Sequence, residues 1–257
     1  MDVIRQLWAY REMIYMLVLR ELRGRYKGSF LGFLWTFLNP LLQFLVYFLI
    51  FSQILRMDIE KYYIYLFVGF IPWFFVSTAI PQGANCILSQ SNLVQKIYFP
   101  RMVLPISAAL TGFINMLLSE IVVFVILIVS GFGISIHSIA LPIVYLIQLL
   151  IVTGIILLVS AVTVYFRDLS HILDILVMAW FYITPIVYPV DMIPEKFSFF
   201  LYINPMTSVI ASYQNILYYQ RWPDFWTLLP AFAIGVILLI VGGFVFQKLQ
   251  QGFAEEL

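Results

Sequence analysis

Charge is what this 257-residue chain has least of: 11% of its residues are Asp, Glu, Lys or Arg, against about 25% in a soluble globular domain. With 63% hydrophobic residues and a mean hydropathy of +0.99, the chain must take most of its solvent from lipid. Cysteine is almost missing too; Cys86 stands alone, so no intrachain disulfide can form. No polar stretch is long enough to bury a core of its own, which leaves one transmembrane domain over 1–257 and no soluble appendage. The net charge of +1 is small and its basic residues sit near membrane boundaries, which excludes nucleic-acid binding as a main role. Metal chemistry lacks ligands, because His137 and His171 lie in breaks on opposite sides of the membrane. Lys27-Gly28-Ser29 lacks the glycine spacing of a phosphate-binding loop, so the chain does not hydrolyse ATP by itself. Neither an internal repeat nor a catalytic constellation is visible, and the chain reads as a non-enzyme without metal or cofactor.

Apolar runs, by contrast, are plentiful. Six of them, at 31–55, 63–80, 105–129, 139–166, 172–190 and 226–246, fill most of the chain. Each has at least the roughly 17 residues that a helix needs to cross the hydrocarbon core. Backbone polar groups in lipid must bond within one segment or in a closed barrel, and the period-two alternation of barrel strands is absent. The runs are therefore helices. Ten of the 14 Lys and Arg flank one set of breaks (Arg5, Arg11, Arg20, Arg23, Arg25, Lys27, Lys96, Arg101, Arg167, Lys248), and Arg56, Lys61, Lys196 and Arg221 the other. Positive charge collects on the cytoplasmic side, so both termini are expected in the cytoplasm of a multi-pass protein.

Ahead of the first span, Ile4, Leu7, Trp8, Arg11, Ile14, Tyr15 and Val18 recur at helical spacing. With Arg5, Arg11 and Arg20 they describe a basic amphipathic helix in the headgroup plane rather than a cleaved signal, since more basic residues stand where a cleavage site would be. The cytoplasmic break 82–104 carries a short surface helix ending at Pro100. The external break 191–225 has an apolar middle, 197–219, interrupted at Asn204-Pro205, and reads as two re-entrant half-helices. The expected fold is an all-α integral membrane protein: an interface helix at 1–27, a six-span bundle over 31–246 with re-entrant external helices between spans five and six, and a cytoplasmic tail at 247–257.

Candidate functional residues are sparse. Glu120 is the one acidic residue deep in a span; it reads either as a proton or substrate site or as a structural carboxyl bonded to a neighbouring helix. Aromatic residues make up 18% of the chain. Phe30, Phe33, Phe37, Phe44, Phe48 and Phe51 share one face of the first span. That stripe reads as helix packing and lipid contact, or as a rail on which sugar rings stack. Trp180, Phe181 and Tyr188 lie towards the external end of the fifth span.

Several short motifs together resemble one family. They are Arg23-Gly24-Arg25-Tyr26-Lys27-Gly28-Ser29-Phe30-Leu31-Gly32-Phe33-Leu34-Trp35 before Asn39-Pro40, Gly69 with Pro72-Trp73-Phe74-Phe75, Asn92-Leu93-Val94 with Lys96-Ile97-Tyr98-Phe99-Pro100-Arg101, Tyr165-Phe166-Arg167-Asp168-Leu169, Thr184-Pro185-Ile186-Val187-Tyr188-Pro189, and Asn204-Pro205-Met206. In order and spacing they resemble the membrane subunits of type 2 ATP-binding-cassette exporters, in the branch that exports O-antigen, capsule and teichoic acid. The resemblance implies a homodimer of permeases in the cytoplasmic (inner) membrane, joined by two separate ATPase subunits that hold ATP and Mg. It implies a lipid-linked polysaccharide as cargo, moving between the two copies' first and fifth spans. Under it, Asn92, Leu93, Gln95, Lys96, Tyr98, Phe99 and Arg101 form the coupling helix on the ATPase. Arg5, Trp8, Arg11 and Arg20 mark the interface helix. The aromatic substrate path comprises Phe37, Phe44, Phe48, Phe51, Trp180, Phe181 and Tyr188. A drug or lipid exporter of the same family, an ion-driven carrier using Glu120, and a structural membrane protein are the alternatives.

Overall fold

A computed structural model describes residues 2–24, 30–54, 59–193, 196 and 203–257. Arg25, Lys27, Arg56 and the first half of the expected re-entrant pair lie outside the described residues. Described residues form helices and turns: α1 (Asp2–Ala9), α2 (Arg11–Gly24), α3 (Trp35–Phe48), α4 (Tyr62–Ala84), α5 (Ser91–Lys96), α6 (Val103–Val129), α7 (Leu141–Tyr165), α8 (Leu169–Ile183), α9 (Pro205–Tyr213), α10 (Phe225–Leu249) and α11 (Phe253–Glu256). Five stretches are long and apolar enough to cross a membrane: Gly32–Ser52, Tyr62–Ala84, Val103–Val129, Ile136–Tyr165 and Phe225–Gly252.

α4 is the axis of the bundle. Every residue from Ile64 to Trp73 is buried, which is why its sequence is hydrophobic all round. α3, α6, α7 and α8 pack around it, and α7 lies against α10 where glycines let two backbones meet. At one end a second cluster gathers Leu17 of α2, Val94 of α5, Phe99, Val164 of α7, Phe246 of α10 and Phe253 of α11. Both described ends of the chain therefore sit on the same end of the bundle as α5.

The interface helix differs from its expected form. A turn at Tyr10 divides it into α1 and α2, while i to i−4 hydrogen bonds run on through it, from the Tyr10 N–H to the Gln6 carbonyl and from the Ile14 N–H to the Tyr10 carbonyl, both at 3.1 Å. The face that packs on the bundle comprises Leu7, Tyr10, Met13, Ile14, Leu17 and Val18, while Trp8 and Tyr15, expected on the same apolar stripe, point outward.

The fifth span also departs from its expected range of 172–190. Its helix, α8, has 15 residues and stops at Ile183, a length of about 22 Å against a hydrocarbon core of about 30 Å. Pro185 is the cause: it pushes Thr184 to φ −90°, ψ 132°, and Thr184 through Val187 continue as buried, non-helical chain. Backbone of that kind at membrane depth needs protein partners. Gln214 donates to the Pro185 carbonyl at 3.2 Å, Tyr62 to that of Val187 at 2.8 Å and Tyr65 to that of Tyr188 at 3.1 Å. Asn204 joins the segment to α9: its side chain donates to the Thr184 hydroxyl at 2.9 Å, accepts from the Trp180 indole at 2.8 Å and caps Met206 at 3.1 Å. The separate motifs Thr184-Pro185 and Asn204-Pro205-Met206 are thus one hydrogen-bonded unit. α9 is the second of the two expected re-entrant halves, and a π turn at Gln214–Tyr218 ends it.

Candidate functional site

At the end that carries α5, three elements enclose a groove of about 1020 Å³. α1 and the turn after it supply Gln6 and Tyr10, α5 supplies Gln95 and Lys96, and the stretch after α10 supplies Gln250 and Gln251. The residues expected to couple to a partner divide into three groups. Asn92, Gln95, Lys96 and Tyr98 are exposed, with Tyr98 at 98%. Leu93 and Phe99 turn inward to the cluster beneath, anchoring α5 to α6, α7 and α10. Arg101 turns sideways to the tail: its guanidinium donates to the Gln250 carbonyl and lies 5.8 Å from the Phe253 ring centroid.

The tail itself was missed by sequence reasoning. Phe253 is 0% exposed and meets Phe246 at 5.5 Å and Tyr165 at 6.2 Å. Tyr165 donates to the Leu249 carbonyl at 2.7 Å, and Arg167 to that of Glu256 at 3.3 Å. Phe253, the one aromatic residue among the charged and polar residues that close the sequence, was the available signal. On the neighbouring face Arg5, Trp8 and Arg11 are exposed, with the Arg11 guanidinium 5.4 Å from the Trp8 ring centroid. Arg20 donates to Gln90 at 2.7 Å, tying α2 to the turn before α5.

Within the membrane the expected path residues fall into two groups. Phe44 packs on Phe67 of α4 at 4.6 Å, Phe48 stacks on Phe44 at 6.0 Å, and Phe51 packs on the same core. Phe37 meets Phe33 at 5.5 Å. Further along α4, Trp180 and Phe181 of α8 meet Trp73 at 5.5 and 5.9 Å, and Tyr188 donates to the Tyr182 carbonyl at 2.8 Å. Tyr47 links the two groups, 4.8 Å from Phe181.

A second stripe on α3 went unread in the sequence. Thr36, Asn39, Gln43 and Tyr47 recur at three- and four-residue steps, about 100° around the helix from the phenylalanines. They face two cavities that share Gln43. One, of about 450 Å³, lies between α3, α4 and α6, with Asn115 and Ser119 on its far wall. The other, of about 180 Å³, lies between α3, α4 and α8, with Ser77 and Asp174 beside Trp73 and Phe181. Hydroxyls, amides and rings thus line a groove along a span that hydropathy alone scores as lipid-facing.

Glu120 lies deep in α6 at 1% exposure, and neither carboxyl oxygen has a hydrogen-bond partner. Among the described residues no group of three or more His, Cys, Asp or Glu is placed to hold a metal ion.

Residues 12–218 match the family model described as ABC-2 type transporter. Over 257 residues, 99% of each chain, the sequence is 40% identical to an O-antigen export system permease protein of Myxococcus xanthus. It is 32% identical to a permease of the same description from Klebsiella pneumoniae over 95% of this chain and 94% of that one. To a polysialic acid transport protein of Escherichia coli it is 26% identical over 76% of each. A family match over most of the spans, together with likeness to whole relatives from end to end, places this chain in the ABC-2 type transporter family.

Proposed function

We propose that this chain is the permease subunit of an ATP-driven exporter that carries a lipid-linked polysaccharide, O-antigen-like, capsular or teichoic acid, across the cytoplasmic membrane. Likeness along the entire chain to O-antigen export permeases carries the reading. Two copies form the path, and a pair of separate ATPase subunits, holding ATP and Mg, grips the face made by α1, α5 and the tail, which lies in the cytoplasm with both termini. Exposed Lys96, Tyr98 and Trp8 supply what a docking surface needs, aromatic anchors beside a charge. When the ATPases close on ATP, α5 moves with them. Because Val94 and Phe99 are buried among α6, α7 and α10, the push reaches the spans as a shift of packed bodies. Asn39 and Gln43 of α3 and the rings of α8 then offer the passing glycan amides and flat faces.

Deleting the chain in cells should abolish surface polysaccharide while lipid-linked glycan accumulates inside; unchanged surface polysaccharide refutes the reading. Lys96→Glu should weaken co-purification of the ATPase and lower export roughly tenfold, since reversing a charge at a rim costs on the order of 1 kcal/mol or more. Undiminished co-purification would move the docking face elsewhere. Glu120→Gln should leave export unchanged, because a neutral amide of the same shape suits an apolar site in which the carboxyl has no charged partner. Loss of export in that variant with ATPase binding intact would favour an ion-driven step.

A further inference from the structure

Asp174 is the one charged side chain that lines either of the two cavities along α3. It stands on the wall of the smaller one with Gln43, Tyr47 and Ser77. Sequence reasoning passed over it, because a single carboxylate leaves the run 172–190 strongly apolar on average. In the structure it is an exposed residue of α8, about 8 Å along the helix from Leu169. A charge within a membrane-spanning segment is costly and is found facing a bundle interior or a water-filled cavity. α8 meets that rule through its register: Asp174, Val177, Met178 and Phe181 follow at three- and four-residue steps, so the carboxylate shares the face that lines the cavity. Ile175 and Leu176, on other faces of the same turn, are exposed and apolar.

Packing gives no reason for this carboxylate. It does not cap α8, which starts at Leu169, and among the described residues none bonds to it or pairs with it. Its physical effect is a potential. An unpaired carboxylate in a cleft walled by low-dielectric protein repels anions, and the amides and hydroxyls around it carry no charge to offset it. Like unit charges about 8 Å apart, at an effective dielectric of about 20, repel enough to slow passage roughly thirtyfold. A polymer with an acidic group in each repeat meets that barrier at every step of its transit. A polymer of neutral sugars meets instead two oxygens that accept from its hydroxyls. An acidic group that occurs once, where a glycan joins its lipid, meets the barrier a single time.

We infer that Asp174 fixes the charge class of the cargo: a glycan whose repeats are uncharged passes, and one with a carboxylate or phosphodiester in each repeat is refused. This rests on the export reading above and narrows its cargo, setting teichoic acid and acidic capsules aside.

The test uses the full transporter in membrane vesicles, with the lone cysteine removed (Cys86→Ser) and a reporter placed on the cavity wall by Ser77→Cys. Its labelling rate is measured with a cationic thiosulfonate bearing trimethylammonium and an anionic one of like size bearing sulfonate. Relative to a free thiol in solution, the cationic reagent should be favoured roughly tenfold or more. Asp174→Asn should bring that preference down to the free-thiol value and Asp174→Glu should keep it, with the amount of transporter unchanged in both. A preference that survives Asp174→Asn overturns the inference, as does a reporter that neither reagent reaches. The polysaccharide lost from the cell surface when the chain is deleted should contain no uronic acid, sialic acid or phosphodiester in its repeat; an acidic repeat also overturns the inference. Chain-dependent surface polysaccharide with no reagent preference at Ser77→Cys rejects the filter and leaves the export reading standing. The expected preference, with surface polysaccharide unchanged on deletion, refutes the export reading on which the filter rests.

Discussion

Phe253→Ala should abolish export while leaving the spans inserted and the ATPase subunits bound. Truncating a fully buried phenylalanine costs about 3–5 kcal/mol, and here the loss falls on an eight-residue tail that few other contacts hold. Phe253 sits between Phe246 and Tyr165 with the Arg101 guanidinium over its ring. Without the ring, α11 leaves its site and Arg101 loses both the cation–π contact and the Gln250 carbonyl. The segment proposed to couple then keeps its exposed face and its anchors Leu93, Val94 and Phe99, but loses its lateral tie to the tail. The measurement pairs surface polysaccharide with ATP hydrolysis by the purified complex: export should fall at least tenfold while hydrolysis persists. Glu255→Gln, an exposed change in the same tail, is the control and should leave both unaltered. Normal export by Phe253→Ala would show that the tail does not contribute to coupling.

That expectation changes the part assigned to Arg101. From the sequence it resembled Lys96, another basic residue on a cytoplasmic loop, and both were read as contacts to the ATPase. Lys96 is exposed, whereas Arg101 is turned to the tail, about 150 residues away in sequence, a distance that one-dimensional periodicity cannot bridge. The same limit explains other differences. Hydropathy found the long helices because a run of apolar residues in lipid has one backbone solution. It could not see that α8 stops early, because the partners that make unwound chain tolerable there, Tyr62, Tyr65 and Gln214, belong to other elements. Nor did it detect Thr36, Asn39 and Gln43, three polar residues diluted by leucine and phenylalanine in a run that averages as lipid-soluble. The phenylalanine stripe on the same helix was readable at once, and much of it packs on α4. Short motifs did better than periodicity around α8 and α9: Thr184-Pro185 and Asn204-Pro205 were noted separately, and Asn204 joins them.

Gly154→Ala should cost the chain its fold, against the usual direction for such a change in a helix. Alanine is favoured over glycine in a helix interior by about 1 kcal/mol, so the sign depends on what the added methyl meets. At Gly154 it would lie 2.6 Å from the backbone carbonyl carbon of Leu238 and the nitrogen of Leu239. Neither atom can rotate away as a side chain could. α7 and α10 must then separate, and they do so at the tightest part of their contact, where Gly242 approaches the Gly154 carbonyl and Gly235 approaches Ile151. Overpacking of this kind costs about 1–3 kcal/mol when side chains can adjust and more against backbone. Because lipid tails are as apolar as the helices, close contact between backbones is most of what holds such a pair together. In detergent the variant should elute as aggregate, with little of the monodisperse species that the parent gives. Gly243→Ala, where an added methyl has room with Met102 3.8 Å away, should elute like the parent. If both variants elute alike, the α7–α10 contact yields more readily than its geometry implies, and the shift of packed bodies proposed for export would need a softer joint than this one.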